Sequence, residues 1–388
     1  MDKQKSSFRI GISGSYGGLN LGDEAILHVM IAQLRKSLPV EIIVFSRDAK
    51  DTLHRHQVGK AVSVRDLTRE EVTGEIEKLD LFILGGGGIL YDAEARIYLR
   101  ELDIAQRKGI PTMTYAIGVG PLNDPVVQKQ VRDVLNRVDI ITVRERSDAR
   151  VLEDIGIHRE IIVTADPALL LKPEPLPEGA LSVEHMAGKR HLVGMSVREA
   201  GVAAPDIDEN FYHTILANAA DFIIDRFDAD IVFFPMEQRM LDTQQSHAVI
   251  AQMLRPQRVH VLKGEYTAGQ LLSLVRYCDF AVGMRLHFLI FAALQKVPLV
   301  ALPYSIKVGG LLNALQVEMP PINLVNAGRL IAYIDRSWDR RNALKEKIKS
   351  ILPSMKKDAL KTSKLAVQLL TEKHPGYTRK ASTPRSSG

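Results

Sequence analysis

The sequence predicts an α/β protein of two Rossmann-like domains facing a cleft. Three observations lead there. Short apolar segments of strand length alternate with helical-period segments along most of the chain, which is the pattern of a parallel sheet covered on both faces. At 388 residues the chain is about twice the usual size of one domain. A Pro- and Glu-rich break, Lys172-Pro-Glu-Pro-Leu-Pro-Glu-Gly179, interrupts the rhythm, which then starts again.

Phe8–Ser13 alternates as a strand and runs into a glycine-rich loop, Gly14 to Asp23. Glu24–Leu38 places Ile26, Leu27, Met30, Ile31 and Leu34 at helical spacing and stops before Pro39. A strand, a glycine loop and a helix in that order begin many phosphate sites, because glycine admits close backbone approach and helix amides face the anion. The spacing here matches neither the dinucleotide fingerprint nor the Walker pattern. Glu41–Ser46 reads as the next strand, followed by a polar, helix-prone region to Lys78.

Leu79–Leu84 is a short buried strand that meets Gly85-Gly-Gly-Gly88, and Ile89–Asp92 is expected to start a helix. Consecutive glycines at a strand end cost backbone entropy, which points to a tight turn or a close ligand approach. Thr112–Ile117 is a strand, Pro125–Val138 a helix, and Ile140–Val143 a strand releasing Arg144-Glu-Arg-Ser147, whose serine can cap a helix through Leu152. Ile161–Val163 then leads to Ala165-Asp-Pro167.

After the break come strand Leu192–Ser196, helix Phe211–Phe227, strand Asp230–Phe234, helix Thr243–Leu254, strand Arg258–Leu262 and helix Ala268–Tyr277. Strand Phe280–Val282 breaks at Gly283, delivers Arg285 and His287, and opens a helix over Leu286–Leu294. Strand Leu299–Leu302 and helix Gly309–Leu315 follow. The expected division is an N-terminal domain over 1–172, a linker over 173–190, a C-terminal domain over 191–340, helices over 341–372 packing back on the domains, and a disordered tail over 373–388.

Charged residues at 25% and hydrophobic ones at 46% describe an ordinary globular composition. The one cysteine, Cys278, precludes an internal disulfide framework and reads as a buried structural thiol. No run approaches the roughly 18 apolar residues of a membrane span, and the first residues lack the apolar core of a signal peptide. A cytoplasmic protein is expected. The net charge of +5 gathers partly in Lys345–Arg385, a solvated helical face that could also touch anionic lipid at the inner membrane face. No nucleic-acid partner and no metal are expected, since nothing has metal-ligand spacing. The sequence leaves the oligomeric state open.

Ligands of open α/β sheets bind outside the carboxyl ends of strands, where helix N-termini favour anions. Arg285 and His287 stand there; taken alone, the pair could equally be a surface ion pair and a polar corner.

Five motifs in register carry a resemblance: Gly17-Gly-Leu-Asn-Leu-Gly-Asp-Glu-Ala-Ile26, Leu84–Leu90, Val143–Ser147, Asp166-Pro-Ala-Leu-Leu170, and Gly283-Met-Arg-Leu-His287 with Pro303-Tyr304 and Lys307. Together, over about residues 8–316, they resemble the polysaccharide pyruvyl transferase family. The resemblance implies a fold similar to GT-B glycosyltransferases, and transfer of the enolpyruvyl unit of phosphoenolpyruvate to two hydroxyls of a sugar, giving a pyruvate ketal and phosphate. The acceptor it implies is a sugar of a cell-surface glycan or its lipid-linked precursor, with no cofactor beyond the donor. The family's Arg-Leu-His triplet, associated with phosphoenolpyruvate, maps onto Arg285, Leu286 and His287.

Residue chemistry agrees with that assignment. Guanidinium forks suit the donor's carboxylate and phosphate, which nominates Arg285, then Arg198, with Arg144 and Arg146 as partners across the cleft. Each of the last three could instead pair with Glu145 or Glu199. Ketal formation moves protons, and His287 is the histidine at a strand-to-helix turn beside an arginine. The other histidines read as surface. Tyr304, Ser305 and Lys307 would line the donor side. On the acceptor side stand Gly17, Gly18, Asn20, Asp23, Glu24, Gly86, Gly87, Gly88 and Glu237, although Asp23 is as readily a helix cap. A glycosyltransferase or sugar-nucleotide epimerase on the same scaffold, or a non-catalytic glycan-binding relative, are the competing readings.

Overall fold

The computed structural model describes residues 7–188, 190–199, 208–237, 241–301, 306–318 and 326–375. The N-terminal half runs β1 (Phe8–Ser13), α1 (Leu21–Ser37), β2 (Val40–Ser46), α2 (Ala49–Arg55), β3 (Lys60–Ser63), α3 (Arg69–Ile76), β4 (Leu81–Leu84) and β5 (Gly87–Leu90). It continues through α4 (Ala95–Arg107), β6 (Thr112–Thr114), β7 (Ile117–Val119), α5 (Pro125–Leu135), β8 (Ile141–Val143), α6 (Arg146–Asp154) and β9 (Ile161–Val163). A 3-10 turn (Pro167–Leu170) and α7 (Ala180–Val183) lead into the second half. That half comprises β10 (His191–Ser196), α8 (Glu209–Phe227), β11 (Ala229–Phe233), α9 (Leu241–Ile250), β12 (Val259–Val261), α10 (Ala268–Val275), β13 (Phe280–Gly283), α11 (Leu286–Leu294), β14 (Leu299–Ala301) and α12 (Ile306–Leu315). The helices α13 (Ala327–Asp339) and α14 (Arg341–Lys373) close the described chain.

Two five-stranded parallel sheets result, in the orders β3-β2-β1-β4-β6 and β12-β11-β10-β13-β14. The registers Ile10↔Ile42, Ile10↔Leu81 and Val193↔Phe280 place fully buried apolar residues side by side. Each sheet reverses direction next to its first strand, between β1 and β4 and between β10 and β13. A ligand crevice opens at such a switch point. The glycine loops of the first half follow β1 and β4, and Arg285 and His287 follow β13.

Several expected boundaries move. Ile89–Asp92 does not start a helix; Gly87–Leu90 is β5, and α4 begins at Ala95. The polar stretch before Lys78 contains β3, and Thr112–Ile117 is cut into β6 and β7. The cut has a backbone cause. Ala116 and Gly87 both adopt positive φ, which ends regular pairing at the tops of β6 and β4 and starts a separate four-stranded sheet, β5-β7-β8-β9. The first helix starts at Leu21, three residues before the expected Glu24.

One apolar cluster runs through both halves, from Phe8 to Leu370, and joins them through α1, the 3-10 turn, α11 and α14. The long α14 buries Ile348, Leu352, Met355, Ala359 and Ala366, and Thr362 donates to Thr164 Oγ1 at 3.0 Å. The lysine-rich terminal segment thus packs back on the domains. The expected disordered tail falls almost wholly at 376–388, outside the described residues. Among the described residues no helix is long and apolar enough to cross a membrane. Cys278 is buried, and burial pushes its thiol pKa up, as expected of an inert thiol.

Candidate active site

Gly283 is the last residue of β13, and the helix that follows folds so closely over it that a side chain there would overlap Phe288 and Leu289. The chain therefore turns tightly, and Arg285 and His287 straddle the start of α11, a helix without a capping side chain. Asp242 of α9, fully buried, receives Arg285 Nε at 2.9 Å and also its Nη2. Its Oδ2 also accepts the backbone N–H groups of Met236 and Glu237 at 3.0 and 3.1 Å. A carboxylate fixed by two amides thus fixes the plane of the guanidinium.

His287 reaches the other domain. Its Nε2 lies 3.5 Å from Asp166 Oδ2, and its ring rests on the first turn of α1, where a Cβ on Gly22 would overlap it. Asp166 Oδ1 caps the 3-10 turn, accepting from Ala168 N–H at 2.9 Å, and Arg144 Nη1 stands 3.5 Å from Oδ2. Burial alone would raise the Asp166 carboxyl; the opposed charges of His287 and Arg144 and the Ala168 amide hold it at about 2. It is a carboxylate at any working pH.

Arg144 is itself buried, within 3.8 Å of Glu145. The sequence left substrate contact and ion pair open for Arg144; the structure places it in a carboxylate nest. Glu145 packs against Gly310 of α12, where a Cβ would overlap its carboxylate. Burial, with Asp148 and Asp166 adding to it against Arg144, pushes the Glu145 carboxyl up to about 7. A carboxyl whose folded pKa exceeds its unfolded one contributes stability that is complete below the unfolded value, 4.5, and lost as pH rises through 7. Glu145→Gln should therefore gain on the parent by about 1–3 kcal/mol between pH 5 and pH 7.5. Urea unfolding at those two pH values measures it; an equal difference at both would contradict the shift.

In the first domain the glycine loop docks on the second. Leu21 N–H donates to Met236 O at 2.8 Å, and Asn20 bridges to Glu237. Asn20 is the cap of α1, accepting from Gly22 N–H at 3.0 Å. This corrects the expectation for Asp23, which lies inside the helix with its carboxylate over Gly87. Glu24 is also turned inward, accepting Gly17 N–H at 2.9 Å and facing His56 Nε2 at 2.7 Å. His56 and His213 are buried, contrary to the surface reading of the other histidines.

The glycines around the β1–β4 switch point make room for a side chain of the protein itself. Side chains at Gly14 or Gly85 would overlap the fully buried Tyr16, and one at Gly86 would press on Ile26. Gly17 has positive φ and packs on Ser46, Gly18 lies near Arg47, and Gly88 is half-buried beside Gly118. Arg198 folds toward its neighbour, donating to Glu199 O at 3.2 Å, and the exposed Arg146 pairs with Glu153. Leu286 is half-buried beside Arg285. Tyr304, Ser305 and the side chain of Lys307 lie outside the described residues.

The structure thus brings Arg285, His287, Arg144, Asn20 and Glu237 to one interdomain seam and adds Asp166, Asp242 and Glu145. Asp166 was visible as part of an Asp-Pro motif after a strand. Asp242 gave no signal, being one acid in a helix. A sequence model described as polysaccharide pyruvyl transferase matches residues 20–306. No curated protein sequence matches the chain. Solved structures with similar folds include S. aureus MnaA with UDP (11% identity, 96% of this chain and 98% of that one, TM-score 0.65). A glycosyltransferase from Rickettsia africae is similar at 12% identity, 95% and 99% coverage and TM-score 0.65. UDP-GlcNAc 2-epimerase from Neisseria meningitidis bound to UDP-GlcNAc is similar at 11% identity, 94% and 100% coverage and TM-score 0.61. At such identities the likeness is one of fold, the GT-B arrangement.

Proposed function

Given that the chain belongs to the polysaccharide pyruvyl transferase family, we propose that it transfers the pyruvyl unit of phosphoenolpyruvate to two hydroxyls of one sugar of a cell-surface polysaccharide or its lipid-linked precursor, closing a ketal. The observation that carries this reading is the pairing of an oriented guanidinium, Arg285, with a histidine, His287, at the switch point of the second sheet. The first suits the donor's oxyanions, the second its proton transfers.

Two bonds to oxygen form and one breaks. A first hydroxyl adds to the central carbon of the donor while the methylene carbon takes a proton, and the hydroxyl proton passes to a base. A second hydroxyl of the same sugar then displaces phosphate, which leaves with that hydroxyl's proton. His287 is the group that exchanges protons in this scheme, and Arg285 holds the donor's carboxylate or phosphate. Asn20 and Glu237 border the seam from which the sugar would approach.

The test is a panel of sugar nucleotides and lipid-linked sugars with phosphoenolpyruvate, following free phosphate and the added pyruvyl mass together. Release of phosphate with a pyruvylated sugar is expected. Release of a nucleotide from a nucleotide sugar, with the donor untouched, would replace this reading with glycosyl transfer or epimerisation.

A further inference from the structure

Asp166 has no part in the scheme above, yet it faces the histidine that does. We infer that Asp166 is the positioning residue of His287, acting across the domain seam: its carboxylate holds the proton of the neutral imidazole on Nε2, leaves Nδ1 unprotonated, and fixes the orientation of the ring. The inference rests on the role proposed for His287.

The geometry assigns each nitrogen a different neighbour. Nε2 points at Asp166 Oδ2, 3.5 Å away. That is an ion-pair separation rather than a formed hydrogen bond, and among the described residues Nε2 has no hydrogen-bond partner, which leaves the Asp166 carboxylate as the acceptor it faces. Nδ1 lies over Gly22, at the first turn of α1. In a neutral imidazole one nitrogen donates and the other accepts, and the partner of one decides the state of the other. A carboxylate can only accept, so it selects the Nε2–H tautomer.

Asp166 is built to stay ionised and still. Ala168 N–H fixes Oδ1, Arg144 stands beside Oδ2, and the residue is 4% exposed. The remaining acids of the neighbourhood are directed elsewhere: Asp23 lies over Gly87, Glu24 faces His56, and Glu145 packs on Gly310. Asp166 and Gly22 belong to the first domain and His287 to the second, so the imidazole is oriented only while the two domains meet.

Selective 15N-histidine labelling of the full chain, with the His287 signals identified by their loss in His287→Gln, tests this directly. A pyrrole-like Nε2 and a pyridine-like Nδ1 are expected at a pH where the ring is neutral. The opposite tautomer in the parent protein overturns the inference, and this reading needs neither turnover nor a folded Asp166 variant. Asp166→Asn should lower kcat by about 10–100-fold, leave the KM for phosphoenolpyruvate within about threefold, and raise the share of the Nδ1–H tautomer. An unchanged tautomer balance with unchanged kcat also overturns it. Failure of every acceptor to release phosphate would instead count against the proposed reaction, with the tautomer result standing apart.

Discussion

A His287→Ala protein should bind phosphoenolpyruvate nearly as the parent does and form almost no ketal, with kcat lower by about 10²–10⁴-fold, the span of one positioned general acid or base. Donor binding survives because the Arg285 guanidinium is held by Asp242, which His287 does not touch. The fold is expected to survive because the ring meets Asp166 only at 3.5 Å, and Asp166 keeps Arg144 and the Ala168 amide. Phosphate release measures kcat and calorimetric titration measures donor binding. Unchanged turnover would remove His287 from the chemistry.

Gly22→Ala should be the second most damaging change, by a route that alters no catalytic side chain and moves one. Alanine is the better helix former by about 1 kcal/mol, and Gly22 lies in the first turn of α1 without a positive φ. Helix energetics alone therefore favour the substitution. Its methyl, however, would occupy the space of the His287 ring. Either the ring leaves Asp166 or the domains separate at Leu21–Met236, and a displacement on the order of 1 Å costs about 10²-fold in rate. The variant should lose that much in kcat/KM while melting no earlier than the parent by more than a few degrees. Gly74→Ala, in α3 with open space at the Cβ position, is the control expected to keep full activity. Equal activities for the two would mean that the ring does not depend on its contact with α1.

What could be read from the sequence was whatever local periodicity and chain order determine. The alternation of apolar strands with helices gave two Rossmann-like halves, and five motifs in register gave the family. Long-range packing was not readable. The glycine runs at the ends of β1 and β4 suggested a tight turn or a ligand, whereas the structure fills the space at Gly14 and Gly85 with Tyr16, a loop residue that belongs to no periodic apolar stripe and is buried only by the fold. The helix expected at Ile89 became β5 because it extends a sheet that begins after the break at Gly87 and Ala116, two backbone conformations that periodicity does not register. Arg144 presented as a cation at a strand end, and only the tertiary fold sets it against Asp166 and Glu145.

The buried charges explain why the two halves meet where they do. Asp166 and Glu145 come from the first domain and face His287 and Gly310 of the second, while the backbone of Leu21 binds that of Met236 beside them. Ionised groups are expensive to bury unless paired, so the Asp166 carboxylate favours the register that sets it against Arg144 and against His287, the group the proposed chemistry uses. A substrate entering between the domains would act on the same contacts.

Ketal formation is followed directly with phosphoenolpyruvate carrying 13C at its central carbon, incubated with the protein and a panel of sugar acceptors. The label should move to a quaternary carbon bearing two oxygens of one sugar, with one phosphate released for each. Label that stays in phosphoenolpyruvate while a sugar nucleotide is consumed would contradict it.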